Sequence, residues 1–243
     1  MKMILDKRGK KYILKPGEEF QSDLGIIKAE TLDNAEIGDT IESHLNHTFK
    51  IVKPNINDYI DLMDRRCSIL IKKDIGQVLA HTGLGSQSRV VDAGTGAGAI
   101  ALNFGNVVGP EGEVFTYEIR EDFAEVAQKN IEKFGITNIH VKNKNIKDGI
   151  DEENIDLIFL DLPKPFEIFE DVMESLNVGG WLAVYAPYID QAEISYRVAK
   201  KLGFYDIEII ETLERGLEVR PQGVRPKTRM VGHSGYLVFA RKL

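Results

Sequence analysis

Residues 88–99 read Ser-Arg-Val-Val-Asp-Ala-Gly-Thr-Gly-Ala-Gly-Ala, and no other stretch of the chain carries as much chemistry. An apolar pair, Val90-Val91, ends in an acid, Asp92. Three alternating glycines follow, Gly94, Gly96 and Gly98, with Thr95 between the first two, and a helix-forming stretch opens at Ala99. This order predicts a strand, a turn with no Cβ atoms in the way, and a helix. Glycines let a backbone approach a ligand closely. The first turn of a helix offers unpaired N–H groups. An acid at the strand end suits a ligand bearing an ammonium group, which favours S-adenosylmethionine over a nucleotide phosphate. The same residues also fit G-x-G-x-x-A, a dinucleotide-binding pattern, so the turn alone leaves NAD open.

Two further acids narrow the choice. Glu118 closes the next apolar stretch, Phe115-Thr116-Tyr117. A carboxylate there can take both hydroxyls of a ribose, a need shared by NAD and S-adenosylmethionine. Asp161 lies in Phe159-Leu160-Asp161-Leu162-Pro163-Lys164-Pro165-Phe166. Ligands of open α/β sheets bind outside the carboxyl ends of the strands, so Asp161 faces the same crevice as the glycine turn. The prolines stiffen the loop that follows. A methyltransferase that positions a planar base needs such a segment, and a nicotinamide enzyme has no particular use for it. As purely structural residues, Asp161 would cap a turn, Glu118 would neighbour a helix N-cap, and the glycines would only reverse the chain.

The elements that must position these residues alternate from Ser88 onward. Strands are predicted at 89–93, 113–118, 138–143, 155–161, 180–186, 204–212 and 235–241, with helices between the first six. The helix over 121–134 is the clearest, because Phe123, Val126-Ala127, Ile131 and Phe134 recur at helical spacing. Such alternation implies a Rossmann-like α/β fold, a seven-stranded and mostly parallel sheet covered by helices on both faces. The last strand follows a long loop and no helix, so it is expected to run antiparallel. Residues 1–55 differ in texture. Tyr12-Ile13-Leu14, Ile26-Ile27, Thr40-Ile41 and Thr48–Val52 are short β-prone pieces divided by Pro16-Gly17, Gly38-Asp39 and Pro54-Asn55. The expected organisation is a small β domain over 1–55 and an α/β domain over 56–243, whose lead-in at 56–84 is helical.

Composition bounds the rest. With 43% hydrophobic and 28% charged residues among 243, the chain is ordinary for a soluble protein. No apolar run approaches the roughly 20 residues of a membrane span. The single cysteine, Cys67, cannot form an internal disulfide, so a reducing, cytoplasmic setting is expected. Cys67 follows Arg65-Arg66, a setting for an activated thiol, but it reads more simply as a packed residue. No His/Cys cluster has ligand spacing, and no metal is expected. A net charge of −7 argues against a generally basic surface. It leaves room for a local patch, because phosphate contacts act within a Debye length of about 8–10 Å. Two stretches are locally basic: Lys7-Arg8-Gly9-Lys10-Lys11 with Lys15, and residues 219–233, which hold Arg220, Arg225, Lys227 and Arg229 and no acid. Either can equally be a solvated loop.

Four segments together resemble the tRNA (adenine-N1) methyltransferases, class I enzymes dependent on S-adenosylmethionine. They are Asp92–Gly98, Tyr117–Phe123, Asp161–Pro165 and the tail Arg229–Arg241. The similarity covers nearly the whole chain. The glycine motif is common to many methyltransferases, whereas D-L-P-x-P combined with the tail is much more restricted. The resemblance implies methyl transfer to adenine N1 in the tRNA T-loop, at tRNA position 58 and, as in archaeal members, 57. It implies a homo-oligomer, a tetramer. It also implies that the turn from Asp92 through Gly94, Thr95, Gly96, Gly98 and Ala99 holds the methionine part of the cofactor. Glu118 would hold the ribose, with Ile119 against the adenine ring, and Asn145 and Ile146 would border that adenine. Asp161 would border the cofactor and accept a hydrogen bond from the N6 amino group of the target base. Arg220, Arg225, Lys227, Arg229 and His233, with the small β domain, are candidate RNA contacts. The chain departs from the family pattern at Ile71, where many members have an aromatic residue or His, and at Asn145, where many have Asp. Phe166 stands in place of a frequent Trp.

The rival readings are a class I methyltransferase acting on protein isoaspartate or a small molecule such as a precorrin, and a tRNA-binding subunit without turnover. An NAD-dependent oxidoreductase is the most distant.

Overall fold

A computed structural model describes all residues, Met1–Leu243. The chain divides into two compact units, Met1–Met63 and Asp64–Leu243.

The first unit holds β1 (Met3–Asp6), β2 (Lys11–Ile13), β3 (Phe20–Ser22), β4 (Gly25–Ile27), α1 (Ala29–Asn34), β5 (Thr40–Glu42), β6 (Thr48–Val52) and α2 (Ile56–Leu62). Four strands form an antiparallel sheet in the order β2-β1-β6-β5, and β3-β4 is a separate hairpin. Ile4, Ile27, Leu32, Phe49 and Ile51 make its core. The sequence places the end of this unit at residue 55, while the structure groups α2 with it. The reason is electrostatic: Lys11 on β2 pairs with Asp58 (2.8 Å) and Asp61 (2.7 Å) on α2. Asn55 starts that helix with a capping box, accepting N–H bonds from Asn57 and Asp58.

The second unit opens with α3 (Lys72–Thr82), β7 (Arg89–Ala93), α4 (Ala99–Val108), β8 (Glu113–Tyr117), α5 (Glu121–Phe134), β9 (Ile139–Lys142) and β10 (Ile155–Leu160). It continues with α6 (Phe169–Ser175), β11 (Leu176–Ala186), α7 (Ile189–Lys201), β12 (Tyr205–Ile210), β13 (Leu217–Arg220), β14 (Gly223–Pro226) and β15 (Tyr236–Arg241). Seven strands form one sheet in the order β12-β15-β11-β10-β7-β8-β9. Only β15 is reversed, running antiparallel to β11 and β12. The central strands read as continuous apolar runs, and β10 is buried from Leu157 to Leu160. This is what a sheet covered on both faces requires.

Helix α5 turns Ala124, Ala127, Ile131 and Phe134 inward and ends at Gly135, in the left-handed conformation with φ 67°. Glu121 and Asp122 in its first turn and Lys133 in its last complement the helix dipole.

Two details differ from the sequence expectation. Between β9 and β10 the chain makes only a short 3-10 turn, Ile146–Asp148, since few residues separate Lys142 from Ile155. The loop expected before the last strand contains a β-ribbon, β13-β14, pairing Val219 with Val224 and Glu218 with Arg225. No helix is long and apolar enough to cross a membrane.

The strand order reverses between β7 and β10: the chain leaves β7 for β8 on one side and returns to β10 on the other. Such a switch point opens a crevice at the carboxyl ends of those two strands, and both the glycine turn and Asp161 lie there.

Candidate active site

The crevice is built by the register of three strands. Leu160 pairs with Ala93, and the pairing runs one step further: the Asp161 N–H donates to the Ala93 carbonyl at 2.5 Å. Asp161 therefore stands beside Gly94. On the other side Ala93 pairs with Tyr117, which brings Glu118 to the same edge.

Glu118 is buried and fixed from several directions. Its Oε2 accepts the Gly96 N–H at 2.9 Å and its Oε1 accepts the Arg120 N–H at 3.0 Å. Its own N–H donates to the Lys142 carbonyl at 3.0 Å, and its carbonyl accepts from Asn143 Nδ2 at 2.8 Å. A carboxylate held this way faces the turn in one orientation.

Asp92 is fully buried. Its Oδ2 accepts from Thr116 Oγ1 at 2.5 Å, and Thr116 Oγ1 lies 2.6 Å from Thr95 Oγ1. Its Oδ1 is buried without a partner. A buried acceptor left unpaired costs free energy, about 1–3 kcal/mol in general, which a cationic donor from a ligand would recover. Burial, with the negative charges of Asp161 and Glu118 nearby and against the Thr116 bond, pushes the Asp92 carboxyl up to about 7. Burial pushes Asp161 up to about 6.

Gly96 has φ +56°, and a Cβ there would meet Cys67 Sγ at 3.0 Å, so the position needs glycine on both counts. Gly98, also left-handed, starts α4, and Ala99 is its first residue. The turn is stapled from behind by Asn130 on α5, a fully buried amide. Its Nδ2 donates to the Ala97 carbonyl at 3.0 Å and to the Asp64 carbonyl at 2.9 Å, and its Oδ1 accepts the Asp64 N–H at 2.9 Å. The segment carrying Cys67 is thus fastened over the glycines.

Of the residues expected to border an adenine, Ile119 is 66% exposed beside Glu118, an apolar face open to a ring. Asn145 Oδ1 accepts the Lys147 N–H at 3.1 Å and so caps the 3-10 turn. Ile146 is 3% exposed and packs in the main core beneath that turn. Ile71, where the chain departs from the family pattern, is the half-buried N-cap of α3.

The candidate RNA residues lie on and after the β13-β14 ribbon, and all are exposed. Arg220 and Arg225 both pair with Glu218, at 2.8 and 3.2 Å, an acid just outside the stretch that reads as purely basic. His233 is held between Glu211 Oε1 (2.6 Å, from Nδ1) and the Pro187 carbonyl (3.0 Å, from Nε2). Two acceptors on one ring favour the imidazolium, and the His233 pKa is raised, first by the Pro187 carbonyl and then by Glu211.

Sequence reasoning missed Thr116, Asn130, Asn143 and the place of Cys67. Thr116 carries a faint signal, a hydroxyl in an apolar strand. The others have none that is local.

The donor set fits S-adenosylmethionine: an unpaired buried carboxylate oxygen for a cation, a glycine that a Cβ would crowd, and a fixed carboxylate at the next strand end for a ribose. Residues 50–225 match the model of the family described as tRNA methyltransferase complex GCD14 subunit. A relative in Methanocaldococcus jannaschii named tRNA (adenine(57)-N(1)/adenine(58)-N(1))-methyltransferase TrmI is 38% identical, over 99% of this chain and 94% of its own length. Two crystal structures are similar along the whole chain, each 29% identical. A SAM-dependent O-methyltransferase from Thermotoga maritima has a TM-score of 0.86, with 92% of that chain covered. The tRNA (m1A58) methyltransferase TrmI from Aquifex aeolicus has a TM-score of 0.78, with 96% covered.

Proposed function

The chain belongs to the GCD14 family of tRNA methyltransferase subunits, and we propose that it transfers a methyl group from S-adenosylmethionine to N1 of adenine in the tRNA T-loop. The target is adenine 58, with adenine 57 as a second site, as in the name of the 38% identical relative. The observation that carries the assignment is Asp161, a half-buried carboxylate at the end of β10 beside the glycine turn.

When bound, the cofactor supplies an electrophilic methyl group on a sulfonium. Asp92 and the Gly94–Gly98 turn hold its methionine part, and Glu118 holds its ribose. Adenine N1 has its own lone pair in the ring plane, so no protein nucleophile is needed. Asp161 accepts from the N6 amino group, which fixes the direction of N1 and offsets the positive charge that grows on the purine. N1 lies on the base-pairing edge, so the adenine must leave its stack to reach Asp161. That demands a separate grip on the RNA. Arg220, Arg225, Lys227 and Arg229 supply it, with the small β unit as a further contact, while His233, whose two ring nitrogens are taken by Glu211 and Pro187, anchors the root of the segment.

The chain acts as a homo-oligomer, a tetramer. Val219 is 80% exposed and Val224 61% on a ribbon that joins no other sheet. An isolated two-stranded ribbon with apolar residues in water is marginally stable, and a second copy would cover it. Native mass spectrometry reads the assembly directly.

The deciding experiment is methyl transfer to tRNA transcripts with adenine replaced at 57, at 58 or at both, with nucleosides read by mass spectrometry. 1-Methyladenosine is expected on the parent transcript and absent from the double replacement. None on any transcript would return the chain to the small-molecule or isoaspartate classes.

A further inference from the structure

We propose that Lys73 and Ser234 are positioning residues of the methyl transfer, which lock the connection His233–Gly235 and Tyr185 against the carboxyl edge of the sheet beside Asp161. The proposal rests on the adenine-N1 reading and assigns it two residues outside the cofactor and base contacts.

Val184 pairs with Leu160, so Tyr185 continues alongside Asp161 at the edge of the crevice. Tyr185 is neighboured on its other side by β15, where it pairs with Leu237. Its hydroxyl donates to the Ser234 carbonyl. Its ring lies so close to Gly235 that a Cβ there would sit 2.5 Å from two ring carbons. No side chain fits between them.

Ser234 is held a second time, through its side chain. Lys73, whose side chain is 5% exposed, donates to Ser234 Oγ at 2.6 Å and to Asp74 Oδ1 at 2.6 Å. His233, one residue earlier, is tied to the end of β11 through Pro187 and to Glu211 beyond β12. His233 and Ser234 are therefore tied to α3, to β11 and its end, and to the residue after β12, and the Tyr185 ring closes over Gly235. The residues just before them, 223–232, are exposed. The clasp is the fixed root of the basic tail.

A stability role alone explains the Lys73–Asp74 pair poorly. Asp74 is 1% exposed, and its Oδ2 is buried with no partner, so the pair is incompletely satisfied. Buried pairs of this kind commonly give no more stability than apolar residues of the same volume. What the pair does supply is a directed donor: Asp74 orients the ammonium, and the ammonium orients Ser234. The tyrosine and the tail root then stand in one arrangement beside Asp161 before RNA arrives, and the adenine meets a finished wall.

The test is Ser234→Ala beside Ser234→Thr, with Lys73→Met/Asp74→Leu as an independent removal of the donor. Five quantities are measured: kcat and KM for tRNA, cofactor affinity by calorimetry, melting temperature, and amide exchange over residues 227–236. Ser234→Ala should lower kcat about tenfold and speed exchange in that segment about tenfold, with cofactor affinity within about twofold and melting nearly unchanged. Ser234→Thr, which keeps the hydroxyl, should restore both. The double variant should fold and repeat the kcat loss; if it fails to fold, the serine pair decides alone. Native kcat and native exchange in Ser234→Ala would overturn the proposal, as would equal damage from Ser234→Thr. A parent enzyme that forms no 1-methyladenosine would overturn the functional reading instead, and the exchange measurement would still report on the clasp.

Discussion

At the scale of single residues, the site is a problem of three acids. Asp92, Glu118 and Asp161 crowd one crevice, and the carboxyls of Asp92 and Asp161 are pushed up to about 7 and about 6. A protonated Asp161 keeps only a weaker carbonyl acceptor and has no negative charge to offset the charge that grows on the purine. The rate with tRNA should therefore rise from pH 5 and level off above about 7, and Asp161→Asn should be flat and slower on the order of 10²-fold. Initial rates across pH, together with cofactor affinity that stays near native in the variant, check this; a native pH profile in Asp161→Asn removes the residue from the mechanism. Both folded pKa values lie above the unfolded carboxylate value, so the stability these groups contribute is full below about pH 4 and is lost as pH rises through 6 and 7. A cationic ligand reverses that, because it favours the ionised acids. S-Adenosylmethionine binding should then release protons near pH 6.5, with release fading by pH 8.5, as read by calorimetry in buffers of different ionisation heat. Proton uptake, or no exchange at either pH, would mean that no cation sits against Asp92. These acids were legible in the sequence because each closes an apolar run at a strand end, where local pattern and position coincide. Glu118 was legible as an acid but not as a clamped one, since its fixing depends on Lys142 and Asn143 from another strand end.

At the scale of elements, strand–turn–helix is what the sequence describes best, because glycine spacing and apolar runs are local. The seven strands came out close to where the pattern put them, β11 beginning earlier than expected, at Leu176, and β15 is reversed as its helix-free connection requires. What the pattern could not carry is contact between distant positions. Asn130 lies on the buried face of the most regular helix, and nothing in its local pattern says what its amide holds. Its amide in fact closes the back of the glycine turn through Ala97 and holds Asp64, 66 positions away in sequence. Lys73 and Ser234 are 161 positions apart. Nor does a short basic run reveal whether it is a loop or the ribbon β13-β14. Asn130→Ala should leave the Asp64 and Ala97 groups unpaired and cost about 1–3 kcal/mol of stability. It should also weaken cofactor affinity by about tenfold, since the turn is then held from one side only. Thermal melting with and without cofactor separates the two effects. Lost stability with native affinity would make Asn130 a core residue and nothing more.

At the scale of the molecule, an enzyme of net charge −7 must hold a polyanion. Long-range attraction is unfavourable, so binding depends on cations close to phosphates, within the screening length. The structure divides those cations unequally. Arg220 and Arg225 share Glu218, which offsets part of their charge, whereas no such pair engages Arg229. The salt dependence of tRNA binding should report that difference. Removing one cation from a phosphate lowers the slope of log K against log salt by roughly one. Arg229→Glu should lower it by about that amount, and Arg225→Glu by less, because Glu218 already opposes it. Glu218→Gln should act in the other direction, freeing both arginines and tightening binding at low salt while the gain disappears at high salt. Binding titrations between about 50 and 200 mM salt, done with cofactor affinity as a control, measure all three. Equal slopes in the parent and every variant would place the docking surface elsewhere, with the small β unit and its Lys7–Lys11 stretch as the next surface to reverse.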